Sequence, residues 1–319
     1  MKIGVLGAGA MGMLFGGYLS RRNQVYLVDV NETRVRQINE GGVRITETDG
    51  SQEGCFPTAG TGPAGQEMDL ILVFVKAMYT KAALAANKGM IGADTYVMSL
   101  QNGAGHENQL RMLVPENRII LGMTQHNSSV IGVSSVHHGG GGRTCIGMAY
   151  PAEGEAALAE KLVLEEIAAE FTACGLETEA SKEIKRRIWS KLFLNVSASA
   201  LTGVMQVKLG YILDNGHAWR LARALIGEAV AVANQSGLGF SEQEVVEEVR
   251  NVLEHSRDGC TSICADLRDG RQTEVDTISG AVVAEGRGNH TPTPCHEFMV
   301  ELVHALEGRT AEVQNKPLM

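Results

Sequence analysis

The sequence predicts an α/β protein in two domains: a parallel sheet covered by helices, followed by an all-helical domain. Three observations predict this fold class. The first thirty residues read as strand, glycine-rich turn, helix and strand. Apolar runs then alternate with helical patterns, which is typical of a parallel sheet with helices on both faces. From Ser181 onward the strand-like runs end and helical patterns take over, so we predict domains over 1–180 and 181–319.

The opening turn, GAGAMG at residues 7–12, has the spacing of a Rossmann-type dinucleotide-binding motif. Gly7 permits a tight turn, Gly9 lets a pyrophosphate approach the backbone, and Gly12 lets the helix pack closely on the sheet. The backbone of Ala10 and Met11 opens the helix, whose N-terminus offers N–H groups to phosphates. A glycine-rich turn in another α/β fold, or a methyltransferase-like site, is the alternative at this point.

Asp29 directly follows the second predicted strand, Val25–Val28. A carboxylate at this place can accept hydrogen bonds from the ribose hydroxyls of the adenosine half of a dinucleotide. It would repel the 2′-phosphate of NADP, so Asp29 favours NAD as the cofactor. Arg34 is nearby in sequence, on the predicted helix that follows.

The composition excludes several classes of partner. The net charge of −9 argues against a nucleic-acid or anionic-membrane partner. Hydrophobic content of 44% and charged content of 20% are those of an ordinary globular protein. No uninterrupted apolar stretch is long enough to span a membrane. Because the first predicted strand begins at once, we expect no signal peptide and a cytoplasmic location.

Two polar residues follow the ends of buried strands. Lys76 comes after the apolar run DLILVFV, and Asn102 comes after the strand predicted over 95–100. In a parallel sheet these positions share the carboxyl edge, where ligands bind. The alternatives are a solvated lysine at a helix start and an Asn-Gly turn residue. Further strands are predicted over 43–47, 54–58, 118–123 and 177–180, and helices over 32–40, 80–88, 107–113 and 153–174.

His137 and His138 lie between two strand-like runs, 130–136 and 143–148. This pattern predicts a hairpin that adds antiparallel strands to the sheet, with the histidines in its loop. No carboxylate lies at a useful spacing from them, so we predict no metal site.

In the second domain, Lys191, Asn195 and Ser199 are spaced four residues apart on a helix predicted over 181–199 and therefore share one face. A partly desolvated lysine beside a cofactor can protonate a carbonyl oxygen as hydride arrives. Asn195 can hydrogen-bond a substrate hydroxyl or carbonyl. The alternative is a polar outer stripe on an amphipathic helix. Further helices are predicted over 219–235, from 240, over 273–285 and over 294–307, with a loose polar tail after Gly308.

Ser262 and Glu274 are two more candidates in this domain. Thr273 suits the N-cap of the helix predicted over 273–285, which places Glu274 in its first turn. An acid there can simply stabilise the helix dipole, and Ser262 can be a helix cap of its own.

The chain resembles the ketopantoate reductase family (2-dehydropantoate 2-reductase). The resemblance rests on five stretches along the chain: GAGAMG, Lys76 after DLILVFV, LQNGAG around Asn102, WSKLFLN with Lys191 and Asn195, and Ser262 to Asp276 followed by TISG. It implies a Rossmann domain, a helical domain of the 6-phosphogluconate dehydrogenase-like type, and an active site in the cleft between them.

The resemblance also implies roles for individual residues. Lys191 would be the general acid toward the C2 carbonyl of a 2-oxo acid, and Glu274 would orient the lysine and the substrate. Asn195 and Ser262 would bind substrate, with Ser199 on the same side. Asn102 would lie between nicotinamide and substrate, and Lys76 would be another cleft residue. The reaction would reduce ketopantoate to pantoate, on the route to coenzyme A.

The sequence departs from the family pattern at three places. Ser199 stands where the family often has a second asparagine, and Leu209-Gly210 stands where it has Asn-Gly. The family usually prefers NADP, whereas Asp29 favours NAD. An NAD-dependent D-2-hydroxyacid dehydrogenase acting on another bulky 2-oxo acid is therefore the alternative enzyme. A non-catalytic dinucleotide-binding regulator is a remoter alternative, and a homodimer is left open.

Overall fold

The computed structural model describes residues 1–314, with side chains described as far as residue 307. The chain divides into two compact units. The first contains Met1–Gln101 and His106–Lys185, and the second contains Asn102–Gly105 together with the chain from Arg186 onward. The domain boundary predicted at residue 180 therefore lies five residues before the first unit ends.

The strands of the first unit, in chain order, are β1 (Lys2–Leu6), β2 (Gln24–Val28), β3 (Val43–Thr46), β4 (Gln52–Cys55), β5 (Thr58–Gly60), β6 (Leu70–Val73), β7 (Tyr96–Ser99), β8 (Ile119–Thr124), β9 (Asn127–Gly132), β10 (Ser135–Gly140), β11 (Thr144–Met148) and β12 (Thr178–Ala180). Eight of them form one sheet in the order β12-β11-β8-β7-β6-β1-β2-β5. Neighbours are parallel except β8 and β11. Strand order reverses at β1, which pairs with β2 on one side and β6 on the other. The predicted parallel sheet is confirmed, and its topological switch point lies beside β1.

The helices of the first unit are α1 (Ala10–Leu19), α2 (Glu32–Gly41), α3 (Thr80–Ala86), α4 (His106–Leu110) and α5 (Glu155–Ala173). The buried side chains of Phe15 on α1 and Phe171 on α5 pack with the apolar strands into one core. All four residues of β6 are buried, as expected for a strand covered on both faces.

A smaller sheet in the order β4-β3-β10-β9 corrects one prediction. The predicted hairpin around His137 and His138 is wrong, because both histidines lie within β10, which pairs with β9 across a turn near Val133. The side chain of His138 is buried and contacts Glu47, and β10 continues past it to Gly140. The run Arg143–Met148 instead supplies β11, which pairs with β8 in the main sheet.

The second unit is built from helices, as predicted. They are α6 (Ile184–Met205), α7 (Tyr211–Asp214), α8 (Gly216–Gln235), α9 (Glu242–His255), α10 (Ser262–Arg268), α11 (Ser279–Asn289) and α12 (Pro294–Gln314). Along α6, Leu192 and Val196 are buried, so the four-residue apolar spacing gives the buried face. The short helices α7 and α10 were not predicted, since neither is long enough to show a period.

Several helix boundaries in this unit differ from the prediction, and the start of α11 and the end of α12 differ most in what they imply. A 3-10 turn, Val275–Thr277, precedes α11, because the N–H groups of Thr277 and Ile278 both donate to the carbonyl oxygen of Glu274 at 3.1 and 3.2 Å. Glu274 therefore lies before this turn and not in the first turn of a long helix. Residues 308–314, predicted as a loose tail, continue α12; the remainder of that tail, 315–319, lies outside the described residues. Over the part of the chain described, no helix has the length and apolar character needed to cross a membrane.

Candidate active site

The glycine turn has the geometry that its spacing predicts. Gly7 adopts φ +97°, and a Cβ there would lie 2.8 Å from the backbone nitrogen of Val75. A Cβ on Gly12 would overlap the carbonyl oxygen of Gly7, so only glycine allows α1 to start this close to the turn. A Cβ on Gly9, in contrast, would meet nothing within 4 Å. Open space therefore faces Gly9.

The residues around this space fit a dinucleotide pyrophosphate. Gly9 occupies the N-cap position of α1 and has no side chain to cover the helix end. The N–H groups of the first helical turn, which starts at Ala10 and Met11, have no acceptor within the helix. They and the positive end of the helix dipole suit an anion.

Asp29 lies directly beside the glycine turn. Its Oδ2 accepts hydrogen bonds from the N–H of Ala8 at 3.0 Å and from Nη1 of Arg34 at 3.2 Å. Its Oδ1 accepts from the N–H of Asn31 at 2.9 Å. Arg34 also donates from Nε to the carbonyl oxygen of Val133. The carboxylate is thus held in place, and a guanidinium in contact offsets part of its negative charge.

Lys76 lies three residues after the end of β6, and Gln101 lies two residues after the end of β7. Lys76 is half-buried and immediately precedes a 3-10 turn. Gln101, which is buried, donates from Nε2 to the carbonyl oxygen of Val75 at 2.7 Å and to the hydroxyl of Thr80 at 2.8 Å. Gln101 therefore ties the two strand ends together. Sequence reasoning missed this role, although a polar residue between a buried strand and an Asn-Gly pair could have signalled it.

Lys191 and Asn102 are in direct contact within the second unit. Nζ of Lys191, on α6, donates to Oδ1 of Asn102 at 3.1 Å. Burial lowers the pKa of Lys191 to about 8. An amine in this environment gives up its proton more readily than a solvated lysine does. The two residues are 89 positions apart in sequence, so their pairing was not visible in any local pattern.

The loop Asn102–Gly105 is fixed against the 3-10 turn that follows Glu274. The N–H of Ala104 donates to the carbonyl oxygen of Thr277 at 3.0 Å. Gly103 has φ +99°, and a Cβ there would overlap that same oxygen. Because Lys191 bonds Asn102 on one side of the loop and Thr277 bonds Ala104 on the other, the structure brings Lys191, Asn102 and the Glu274 segment together.

The remaining substrate candidates lie on α6 and α10. Asn195 is half-buried one turn after Lys191, and Ser199 is buried one turn further on. The hydroxyl of Thr261 donates to the carbonyl oxygen of Ser199 at 3.3 Å and accepts from the N–H of Cys264. Thr261, and not Ser262, is therefore the N-cap of α10. Ser262 is exposed at the first position of that helix.

A buried polar chain in the first unit was not predicted. His138 contacts Oε2 of Glu47 through Nδ1 at 2.8 Å and Nδ1 of His126 through Nε2 at 3.0 Å. The hydroxyl of Tyr18 donates to the other oxygen of Glu47. Burial lowers the pKa of His126. No group of three or more His, Cys, Asp or Glu side chains among the described residues could hold a metal ion. These four residues link α1 to β10 of the smaller sheet and to the segment between β8 and β9.

Two family models match this chain. The model described as ketopantoate reductase PanE/ApbA matches residues 3–150, and its C-terminal counterpart matches residues 183–307. The 2-dehydropantoate 2-reductase of Halobacterium salinarum is 31% identical over 95% of this chain and 98% of that protein. The chain belongs to the ketopantoate reductase family.

Solved structures of similar proteins agree with this family and add a second activity. A PanE/ApbA family ketopantoate reductase from Ralstonia eutropha JMP134 has a TM-score of 0.86 and 28% identity, covering 98% of this chain and all of that one. A D-mandelate dehydrogenase, solved with NADH and anilino(oxo)acetate, has a TM-score of 0.88 and 28% identity with the same coverage. The ketopantoate reductase fold is therefore shared with an enzyme named for a different 2-hydroxy acid.

Two of the three departures from the family pattern, Ser199 and Leu209-Gly210, lie in the second unit. The N–H of Leu209 donates to the carbonyl oxygen of Gly259 at 3.1 Å, and the N–H of Gly210 donates to that of Arg257 at 2.9 Å. Leu209-Gly210 thus holds the segment that leads into α10 and Ser262. Ser199 contacts the same region through Thr261. Both departures from the ketopantoate reductase pattern surround one predicted substrate segment.

Proposed function

We propose that this protein is a 2-dehydropantoate 2-reductase, which uses NAD(P)H to reduce the C2 carbonyl of ketopantoate and form pantoate. The observation that carries the proposal is the contact between Lys191 Nζ and Asn102 Oδ1 beside the Glu274 segment. Membership of the ketopantoate reductase family supports the reaction class. The half-buried lysine supports a general acid in that reaction.

Lys191 is the proposed proton donor. With a pKa near 8 it carries its proton at neutral pH, yet transfers it more easily than a lysine in water. Asn102 accepts one hydrogen bond from the ammonium and so helps to orient it for proton transfer to a carbonyl oxygen. A bound reduced nicotinamide would supply the hydride to the same carbonyl group.

Glu274, Asn195 and Ser262 are the proposed partners of this lysine. Glu274 would orient Lys191 and the substrate from the turn that the Asn102 loop contacts. Asn195, on the face of α6 that carries Lys191, would bind the substrate, and Ser262 would do so from the start of α10. Ser199 completes the proposed substrate side.

We propose that this protein prefers NADH over NADPH as its cofactor. Gly7, Gly9 and Gly12 would cradle the pyrophosphate, and Asp29 would accept from the adenosine ribose. Arg34 reduces the repulsion of a 2′-phosphate without removing it, because its guanidinium is bonded to Asp29 and Val133. Lys76 and Asn102 are two further proposed cofactor-binding residues.

Asp29→Asn tests the cofactor proposal, since an amide retains an oxygen for Ala8 but loses the charge. We expect kcat/KM with NADPH, relative to NADH, to rise about tenfold, the effect of one removed like charge at short range. Asp49→Asn, on an exposed turn, is the matched control. A wild type that strongly prefers NADPH would contradict the repulsion argument.

A D-2-hydroxyacid dehydrogenase acting on another bulky 2-oxo acid is the second candidate. It is favoured by the similarity to D-mandelate dehydrogenase and by Ser199 and Leu209, which replace asparagines of the family pattern. Fewer amide groups near Ser262 would leave a site better suited to an apolar substituent.

One assay separates the two candidates. The purified protein is given NADH or NADPH, each with ketopantoate, a branched 2-oxo acid or an aromatic 2-oxo acid, and cofactor oxidation is followed. A kcat/KM for ketopantoate well above the others supports the proposed function. Turnover of only the other acids overturns it in favour of the second candidate, and no turnover with any acid rejects both.

The cytoplasmic location stays a prediction, and the sequence analysis left a homodimer open. Light scattering of the purified protein at two concentrations tests the dimer. Fractionation of the native host tests the location.

A further inference from the structure

Two side chains on α12 contact the segment that carries Glu274. Oε1 of Glu307 accepts from the N–H of Thr273 at 2.7 Å. Oε2 of Glu307 contacts Nδ1 of His304 at 2.9 Å. Nε2 of His304 contacts Oδ1 of Asp276 at 3.0 Å. These contacts engage the residue before Glu274 and the residue two positions after it.

The charges of this group are consistent with one another. Burial opposes the charge on His304, but its hydrogen bonds to Glu307 and Asp276 raise its pKa. Burial likewise opposes the charge on Glu307, and hydrogen bonds from His304 and Thr273 lower its pKa. The Glu307 side chain is only 13% exposed, so its contacts are shielded from water more than those of a surface ion pair.

We infer that Glu307 and His304 are positioning residues, which hold the segment from Thr273 to Asp276 so that the Glu274 side chain keeps a fixed direction. Glu307 and His304 contact neither substrate nor cofactor, and they affect the reaction only through the position of Glu274. The inference rests on the proposed function, because it assigns the two residues to the same site.

The segment needs such support because it lies outside regular structure. Glu274 precedes a single 3-10 turn, and Ile278 after that turn has backbone angles far from helical ones. On the far side, Thr277 is bonded to Ala104. On the near side, Glu307 accepts from the backbone N–H of Thr273. A small displacement of a catalytic group can cost about a hundredfold in rate.

Glu307→Ala and Glu307→Gln test the inference, with Glu301→Ala as the control. Glu301 is exposed on the same helix, six residues earlier. We expect Glu307→Ala to lower kcat/KM at least about tenfold. Glu307→Gln keeps an oxygen for the N–H of Thr273 but loses the charge facing His304, so its loss should be smaller. Glu301→Ala should match the wild type.

A double-mutant cycle with Glu274→Ala separates positioning from a merely structural role. If Glu307 acts through Glu274, then Glu307→Ala has less than about a twofold further effect once Glu274 is removed. The two single variants should also divide their losses between kcat and KM in the same way. An undiminished effect of Glu307→Ala in the Glu274→Ala background overturns the inference. Glu307→Gln carries the same cycle if the alanine variant does not fold.

The outcomes distinguish this inference from the proposed function. A wild type that reduces no 2-oxo acid rejects the proposed function. An active wild type that needs Glu274, together with a Glu307→Ala variant of wild-type activity, rejects only the positioning role.

Discussion

The proton on Lys191 should set the pH range in which this protein reduces its substrate. With a pKa of about 8, Lys191 is about 90% protonated at pH 7 and about 9% protonated at pH 9. If only the ammonium form protonates the carbonyl oxygen, kcat/KM for reduction falls about tenfold for each pH unit above 8. An ordinary lysine would keep the rate level to about pH 10.

The reverse reaction provides the more demanding assay. Oxidation of the 2-hydroxy acid needs the neutral amine as a base, so its rate should rise through the same pH interval in which reduction falls. Both profiles are measured at saturating cofactor with the purified wild type. Mirrored profiles that meet near pH 8 would assign the titration to one group that donates in one direction and accepts in the other.

Two variants control the experiment. Lys191→Ala should remove the limb near pH 8 and lower turnover strongly, while cofactor affinity stays near that of the wild type. Lys208→Ala removes an exposed lysine of the same unit, paired with Asp258, and should leave both profiles unchanged. A reduction rate that is level from pH 7 to pH 10 would refute the reasoning, since Lys191 would then be either unshifted or not the acid.

Two further predictions concern the same unit. Lys191→Met should raise the free energy of unfolding by about 3 kcal/mol at pH 7, because charging Lys191 is harder in the folded chain, where its pKa is about 8, than in the unfolded one. Between pH 8 and about 10.4 the unfolded chain binds more protons than the folded one, so wild-type stability rises across that window. Above it, the stability advantage of Lys191→Met disappears. Equal melting temperatures of the variant and the wild type at pH 7 would contradict this. Gly103→Ala should lower kcat/KM at least about tenfold, because the added Cβ would overlap the carbonyl oxygen of Thr277 and displace the loop that carries Asn102. Gly50→Ala, at φ +84° in open space, carries similar backbone strain and should keep full activity.

Local patterns predicted most of the fold. The spacing of Gly7 and Gly12 and the buried runs of β1, β2 and β6 depend on neighbours in sequence, so strand, turn and helix could be predicted correctly. The apolar spacing along α6 gave its buried face, and with it the face that carries Lys191. Strand β10 was predicted wrongly, because the burial of His138 beside Glu47 is a tertiary contact that no alternation of apolar residues signals.

The candidate site could be predicted only in part. Sequence spacing and family resemblance identified Lys191 and Asn102 separately, whereas their contact depends on a loop that leaves one unit to pack in the other. Glu274 was assigned to a helix because Thr273 suits an N-cap. In the structure the N–H groups of Thr277 and Ile278 both donate to the Glu274 carbonyl oxygen, and the segment forms a 3-10 turn instead. Glu307 was missed altogether, since an acid near the end of a polar helix gives no local signal.

The loop Asn102–Gly105 makes the second unit dependent on a part of the gene that encodes the first. A fragment starting at Arg186 would contain every helix from α7 to α12 and still lack Asn102, which accepts from Lys191, and the N–H group of Ala104, which donates to Thr277. Exchanging helical domains between relatives at a single junction near residue 185 would pair a loop from one protein with a lysine and a turn from another. Functional chimeras therefore need two further junctions, one before Asn102 and one after Gly105. The loop and the helices that it contacts then come from the same protein.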